Sequence, residues 1–423
     1  MEPDIDKITN GSPSGLPLSR QQRLLLTSNG TDAASRSLSD FLINVIFVST
    51  LGANAFELGL MNALGTLGFV LVSVPAGYLV DRFTGLRVLR FGLAGKVAIV
   101  VSLFILVVSD SFSVPVGIAL ATAMGICNVF TENSQVSVAA DISHREVGQA
   151  KLTNLISQLT AADQTIGIIA PAAAGVLFAV MGAPPLLAAA VTLGGLALVT
   201  AGAIKTLATA SNSAAPTTVK FSGALAGIGF IRANRKLLAL TVLATCTNFG
   251  LAVFSAVEPI LIIRFLELGP AWYGYLTALG GVGGVIGAVM APAMSRRFSH
   301  RFITVLTTVI MLSLACLVVL AAFTSQFWAI FLLATQSLLW GVFVVAFYVA
   351  TTSWATNLTP PELLGRTTSA RRLFTFGVVP LGGLVGGLIG TVWGLIPAIV
   401  IWPVTILVGL MIYLGLTQRP ETA

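Results

Sequence analysis

Long apolar runs separated by short polar breaks fill most of the chain, and their lengths carry the first inference. Leu58 to Val80 and Val88 to Val108 flank a charged hairpin. Each is long enough to cross a bilayer, which takes about 20 residues of helix. Comparable runs predict spans near 113–137, 159–181 and 184–204 and, after a polar stretch, near 237–263, 272–294, 302–322, 327–354, 371–391 and 395–416. Backbone N–H and C=O groups find no water in hydrocarbon, so these runs read as α-helices. Within the polar stretch, Phe221 to Lys236, with Phe230, Ile231 and a basic end, predicts a helix on the membrane surface.

The first span is less regular. Leu38 to Leu51 is too short to cross alone, so the helix has to begin near Leu24 and carry polar residues inside. At about 100° per residue, Asn29, Asp32, Arg36, Asp40 and Asn44 fall within an arc of about 120°. Two readings stand for Asp32 and Arg36, a solvated cytoplasmic extension or part of a stripe lining a water-filled cavity. Either carboxylate lies four residues from Arg36 and can pair with it. Asp40 sits deeper, where a charge costs about 2.5 to 3.5 kcal/mol to insert and is expected to have a use.

Composition agrees with the runs: 56% of the 423 residues are hydrophobic and 9% charged, with a mean hydropathy of +0.94. A soluble chain is excluded on that balance. The net charge of +7 does not point to nucleic acid. If both termini are cytoplasmic, all the Lys and Arg residues except Arg36, Lys96 and Arg264 fall in tails and inner loops, which is the orientation signal of a multi-pass membrane protein. Lys96, inside the third span, reads as a side chain snorkelling to the inner face. Cys127, Cys246 and Cys316 lie in separate apolar runs, and His144 and His300 in separate loops, so neither a disulfide framework nor a metal site is expected. No phosphate-binding Gly-rich loop occurs, and no cofactor is expected.

The hairpin from Gly77 to Arg90, GYLVDRFTGLRVLR, resembles the signature between the second and third helices of the major facilitator superfamily. Gly77, Asp81, Arg82, Gly85 and Arg87 carry the likeness; Thr84 is inserted and Leu86 replaces a basic residue. Pro292 to Phe302 occupies the matching place in the second half, without the acidic residue. Thr359 to Gly387 resembles the Leu-Gly-Arg loop and eleventh helix of the macrolide-efflux and enterobactin-exporter branch. Ala170 to Gly175, with Pro171, resembles a Gly-Pro-x-x-Gly-Gly helix-packing element of proton-coupled exporters.

The resemblance implies an all-α membrane protein of twelve transmembrane helices in two six-helix halves. The ranges are a cytoplasmic tail at 1–23, a first half at 24–204, a linker at 205–236, a second half at 237–417 and a tail at 418–423. It also implies a bacterial plasma membrane, a monomer, both termini in the cytoplasm, and a cavity lined by spans 1, 4, 7 and 10. Arg371 or Arg372 would then approach Asp81 to close the cytoplasmic side.

Asp40, Glu132 and Asp32 are the expected proton-coupling carboxylates, since an intramembrane carboxylate can carry a proton across. Asn29, Arg36, Asn44, Asn128, Gln135, Asn248, Glu258, Gln336, Trp340 and Tyr348 are the expected cavity residues. For Glu258, gating or packing is as good a reading as substrate contact. The expected function is export of a small, partly apolar compound in exchange for protons. The alternatives are a proton-coupled uptake symporter and a sensor or scaffold that transports nothing.

Overall fold

A computed structural model describes residues 19–146, 148–205, 221–360 and 363–418; the side chains of 69–82, 143–154, 157, 164, 168, 172, 179 and 221–226 lie outside the described set. The first half comprises α1 (Arg20–Ser49), α2 (Ala55–Arg82), α3 (Gly85–Val108), α4 (Val114–Glu146), α5 (Gly148–Met181) and α6 (Ala183–Ala203). A linker helix, α7 (Phe221–Ala233), follows. The second half comprises α8 (Arg235–Ser255), the short α9 (Glu258–Ile260) running into a π-helical turn (Leu261–Phe265), α10 (Pro270–Arg297), α11 (His300–Ala321), α12 (Gln326–Asn357), α13 (Leu364–Gly377), α14 (Val379–Val392) and α15 (Leu395–Gln418). Predicted span 7 is thus a broken helix, α8 with α9, and span 11 is α13 with α14.

Among the described residues, 10 helices are long and apolar enough to cross a membrane, and they correspond to predicted spans 3 to 12. α1 is not among them, and its polar residues explain both why and how it folds. It starts at Arg20 on a capping box: Ser19 Oγ accepts from the Gln22 N–H at 3.2 Å, and the Ser19 N–H donates to Gln22 Oε1 at 3.0 Å. Ser28 and Ser35 then donate to the Ala197 and Ala190 carbonyls of α6, at 2.9 and 2.7 Å. Asn29 donates to the Leu159 carbonyl of α5 at 3.0 Å. Neighbouring backbones therefore satisfy a helix that lipid could not solvate.

The end where α1 passes to α2 is called the outer end, on the charge distribution described above. There a single apolar core joins both halves, taking in Leu42 and Phe47 of α1, Leu58 of α2, Phe254 of α8, Leu261 of the π turn and Ile399 of α15. At the inner end the core of the described residues divides. One cluster belongs to the first half, with Leu25, Leu89 and Ile142, and another to the second, with Leu240, Phe347 and Tyr413.

Close backbone crossings reinforce the outer seam. Gly175 of α5 lies directly against Gly274 of α10, and Gly59 of α2 against Gly383 and Gly387 of α14, leaving no room for a Cβ at any of these crossings without movement. Arg264, from the second half, caps the first: its Nε and Nη2 donate to the Val48 carbonyl at 2.9 and 2.6 Å, and its Nη1 to the Ala53 carbonyl at 2.9 Å. Hydrogen bonds from an ionised donor contribute about 1.5 to 3 kcal/mol each. Arg264→Ala is expected to shift the protein about tenfold toward an outward-open form. The readout is maleimide labelling, from the outside, of a cysteine placed at Asn62 in a background lacking the three native cysteines. An unchanged labelling rate would refute the assignment.

The linker helix α7 docks on the second half: Ile231 is buried beside Leu237, Met311 and Ala370, and Gly227 abuts the backbone of Arg366 and Thr367.

Candidate functional site

Two chambers share Asn44 of α1 and Asn62 and Thr66 of α2; the larger lies between the halves, and the described walls of the smaller all belong to the first half. The larger, of about 430 Å³, is walled by Asn248, Ser255 and Glu258 from span 7, Tyr273 of α10, Tyr348 of α12, and Phe376 and Gly383 from span 11. The smaller, of about 280 Å³, is walled by Asp40 of α1, Met61 and Gly65 of α2, and Met124 and Asn128 of α4. Gly65 and Gly125 let α2 and α4 cross so closely that a Cβ on Gly125 would strike the Gly65 carbonyl. Together the chambers have the size of a site for a drug-sized molecule.

The polar stripe on α1 divides in two. Its inner part is structural: Asn29 is turned into α5, and Asp32 is buried against Lys96 of α3, whose Nζ lies 2.8 and 3.0 Å from the two carboxylate oxygens. Asn29 therefore does not line the chambers, Asp32 is held in an ion pair, and Lys96 does not snorkel. All three differ from expectation for one reason: helix packing supplies partners that sequence spacing cannot show. Lys96→Met should lower stability by about 3–5 kcal/mol by stranding the Asp32 charge, seen as a lower Tm in detergent. Adding Asp32→Asn should restore most of the loss, and failure to do so would refute the pair.

The outer part of the stripe faces the chambers. Arg36 reaches across to Glu132 of α4 at 3.1 Å and to Asp163 of α5 at 2.6 Å. The guanidinium is largely enclosed, while Glu132 keeps 48% of its side chain exposed. Asp40 projects into the smaller chamber, and Asn44 Nδ2 donates to the Asp40 carbonyl at 2.8 Å. Asp40 and Glu258 make no side-chain hydrogen bond or ion pair among the described residues. Arg36 and Lys96 are the cations whose fields act on Asp40.

In the second half, Tyr348 Oη donates to Asn248 Oδ1, and Asn248 Nδ2 donates to the Thr375 carbonyl at 2.8 Å, so α8, α12 and α13 are tied behind the chamber wall. Gln336 is buried, its Oε1 accepting from Ser337 at 3.3 Å, and Gln135 is half-buried on α4; neither lines the chambers. Trp340 packs on Trp402 with ring centroids 4.5 Å apart, and Trp402 stacks on Phe254 at 4.3 Å. It is a core residue and not the cavity residue expected, because the face of α12 it occupies meets α15.

Of the expected cytoplasmic gate, the side chains of Gly77, Asp81 and Arg82 lie outside the described residues. Gly85 packs against Ser137 of α4, Arg87 and Arg372 are exposed, and Arg371 is half-buried with its Nε unpartnered among the described residues. Pro171 sits inside α5, one turn before Gly175.

Sequence reasoning missed Asp163, Asn62, Thr66 and Tyr273. Asn62 and Thr66, four apart in an apolar helix, carried a readable signal of one polar face; Tyr273, among aromatic neighbours, carried none.

The chain matches the Major Facilitator Superfamily over residues 25–379, most of its length. It belongs to the Major Facilitator Superfamily. As a superfamily member it is a multi-pass membrane protein and a secondary transporter, not an enzyme. No curated protein matches it. Among solved structures it is similar to the nucleoside transporter NupG, with a TM-score of 0.77 at 10% identity over 95% of this chain and 100% of that one. It is also similar to a bacterial homologue of the iron transporter ferroportin in its inward-facing state, with a TM-score of 0.73 at 17% identity over 96% of this chain and 100% of that one. The outward-facing state of that homologue fits less well, at 0.58 over 95% of this chain and 100% of that one. Identities this low speak to fold alone. Among the described residues, the joined outer core and divided inner cores of this superfamily member make an inward-facing form closed at its outer end.

Proposed function

We propose that this transporter exports a small, partly apolar compound from the cytoplasm in exchange for protons, as a monomer in the plasma membrane with both termini inside. The observation that carries the reading is the state of Asp40. It is the expected coupling carboxylate that lines a chamber without an ion-pair partner among the described residues, while Asp32 and Glu132 are engaged. An unpaired carboxylate can alternate between protonated and ionised forms as the protein changes its open side. Protonated, it passes through an occluded state without burying a charge; ionised, it favours a state in which water or substrate reaches it. Arg36, one turn away, is held by Glu132 and Asp163, so its field at Asp40 depends on how α1, α4 and α5 are disposed. Proton binding and the conformational step are then coupled through one helix face. The mixed lining of the larger chamber, with asparagines, serine and tyrosines beside Leu251, Ala252, Phe376 and Val379, suits a compound that is part polar and part apolar.

Transport in inverted membrane vesicles under an imposed pH gradient tests the reading across macrolides, siderophores and dyes. Accumulation that collapses when the gradient is dissipated supports proton-coupled export. Accumulation confined to right-side-out vesicles would favour uptake, and none in either orientation would favour a sensor.

A further inference from the structure

We infer that the compound carried is an organic cation, with its positive charge held by Glu258. The inference rests on the transport reading above and refines its substrate. Glu258 stands at the break in span 7, three residues beyond the end of α8, and its carboxylate lines the larger chamber without a partner among the described residues. Among the described residues no Lys, Arg or His lines either chamber, so neither Glu258 nor Asp40 is neutralised from these walls. The nearest cation on α1, Arg36, is occupied by Glu132 and Asp163, and Lys96 by Asp32. Ser255, the last residue of α8, lines the same chamber, which places the negative end of that helix dipole on the same wall.

When ionised, the two unpaired carboxylates add to the helix C-terminus to give the cavity a negative potential that repels anions and attracts cations. The remaining walls specify the kind of cation. Tyr273, stacked on Phe41 with ring centroids 5.6 Å apart, lines the chamber with Tyr348 and Phe376, giving aromatic surface suited to an organic ammonium or phosphonium group. A bare divalent metal is not favoured: among the described residues, no group of three His, Cys, Asp or Glu side chains gathers to ligate one. The division of labour follows from position. Asp40, in the smaller chamber beside the charged face of α1, takes the proton, while Glu258, in the larger and more aromatic chamber, takes the substrate charge.

The test is equilibrium binding to the purified full-length protein in nanodiscs, with tetraphenylphosphonium and tetraphenylborate as probes of similar shape and opposite charge. The wild type is expected to bind the phosphonium at least about tenfold more tightly than the borate. Glu258→Gln should weaken phosphonium binding about tenfold or more and leave the weak borate binding level or stronger. Glu258→Asp should restore part of the affinity, which a merely structural role would not do. Asp110→Asn, at an outer turn away from the chambers, controls for the loss of a carboxylate as such, and thermal unfolding confirms that each variant is folded. Equal affinity for the two probes, a preference for the borate, no phosphonium binding, or full affinity in Glu258→Gln would each overturn the inference. The measurement is blind to direction and to protons, so failed gradient-driven export with intact phosphonium selectivity would sink the export reading alone.

Discussion

Asp40→Asn reduces gradient-driven accumulation in inverted vesicles to the level of vesicles without the protein. Exchange of labelled for unlabelled substrate across the same membranes persists at a measurable rate. The asparagine keeps the shape and hydrogen-bonding of a protonated aspartate but cannot release a proton, so it leaves open the passage between access states that the neutral carboxyl allows and removes only the proton step. Exchange needs only that the cavity open to both sides while loaded; accumulation needs the proton to leave on one side. Loss of both activities would mean that Asp40 binds substrate, and retention of both would move coupling to Glu132 or Glu258. Glu132→Gln separates these, because it strips Arg36 of one of its two carboxylates without touching the chamber that Asp40 lines.

Gly175→Leu should abolish transport from a position remote from either carboxylate. A Cβ at 175 meets the backbone of Gly274, which cannot rotate away as a side chain would, and the larger Leu adds to the overlap. Overpacking of this kind costs about 1–3 kcal/mol. The contact is made in this outward-closed form; if opening the outer end parts α5 from α10, the penalty becomes a shift in population, about 5- to 150-fold toward the outward-open form. Impermeant labelling of a cysteine at Asn62 should rise accordingly, and accumulation should fall. A variant that transports normally would show that the α5–α10 crossing is not part of the moving seam.

Much of the architecture was legible because it follows from length and apolarity. A run such as Leu395 to Tyr413 has no alternative to a spanning helix, and the charge pattern then orders the spans. The broken span 7 was foreshadowed by Pro259, which marks the region without showing that α8 ends at Ser255 or that Glu258 opens into a chamber. Partners were the illegible part. Asp32, Arg36 and Asp40 share one face of α1 and look alike in sequence, yet one is paired to α3, one reaches α4 and α5, and one is left unpaired. Their different roles are set by helices 64 to 127 residues away in the chain, which a local pattern does not register. Trp340 is the same lesson reversed: an aromatic on a cavity-lining helix, turned by the packing of α15 into the core.

The apolar core that spans both halves at the outer end also has a thermal consequence. Opening that end hydrates surface that is dry in the inward-facing form, and hydration of apolar surface carries a positive heat capacity. The balance between the two access states should therefore curve with temperature instead of following a straight van't Hoff line. On cooling, the force holding the outer seam together weakens. The resting orientation of the carrier then becomes a property of the temperature at which its cell grows, set by a layer of leucines, phenylalanines and isoleucines that touches neither proton nor substrate.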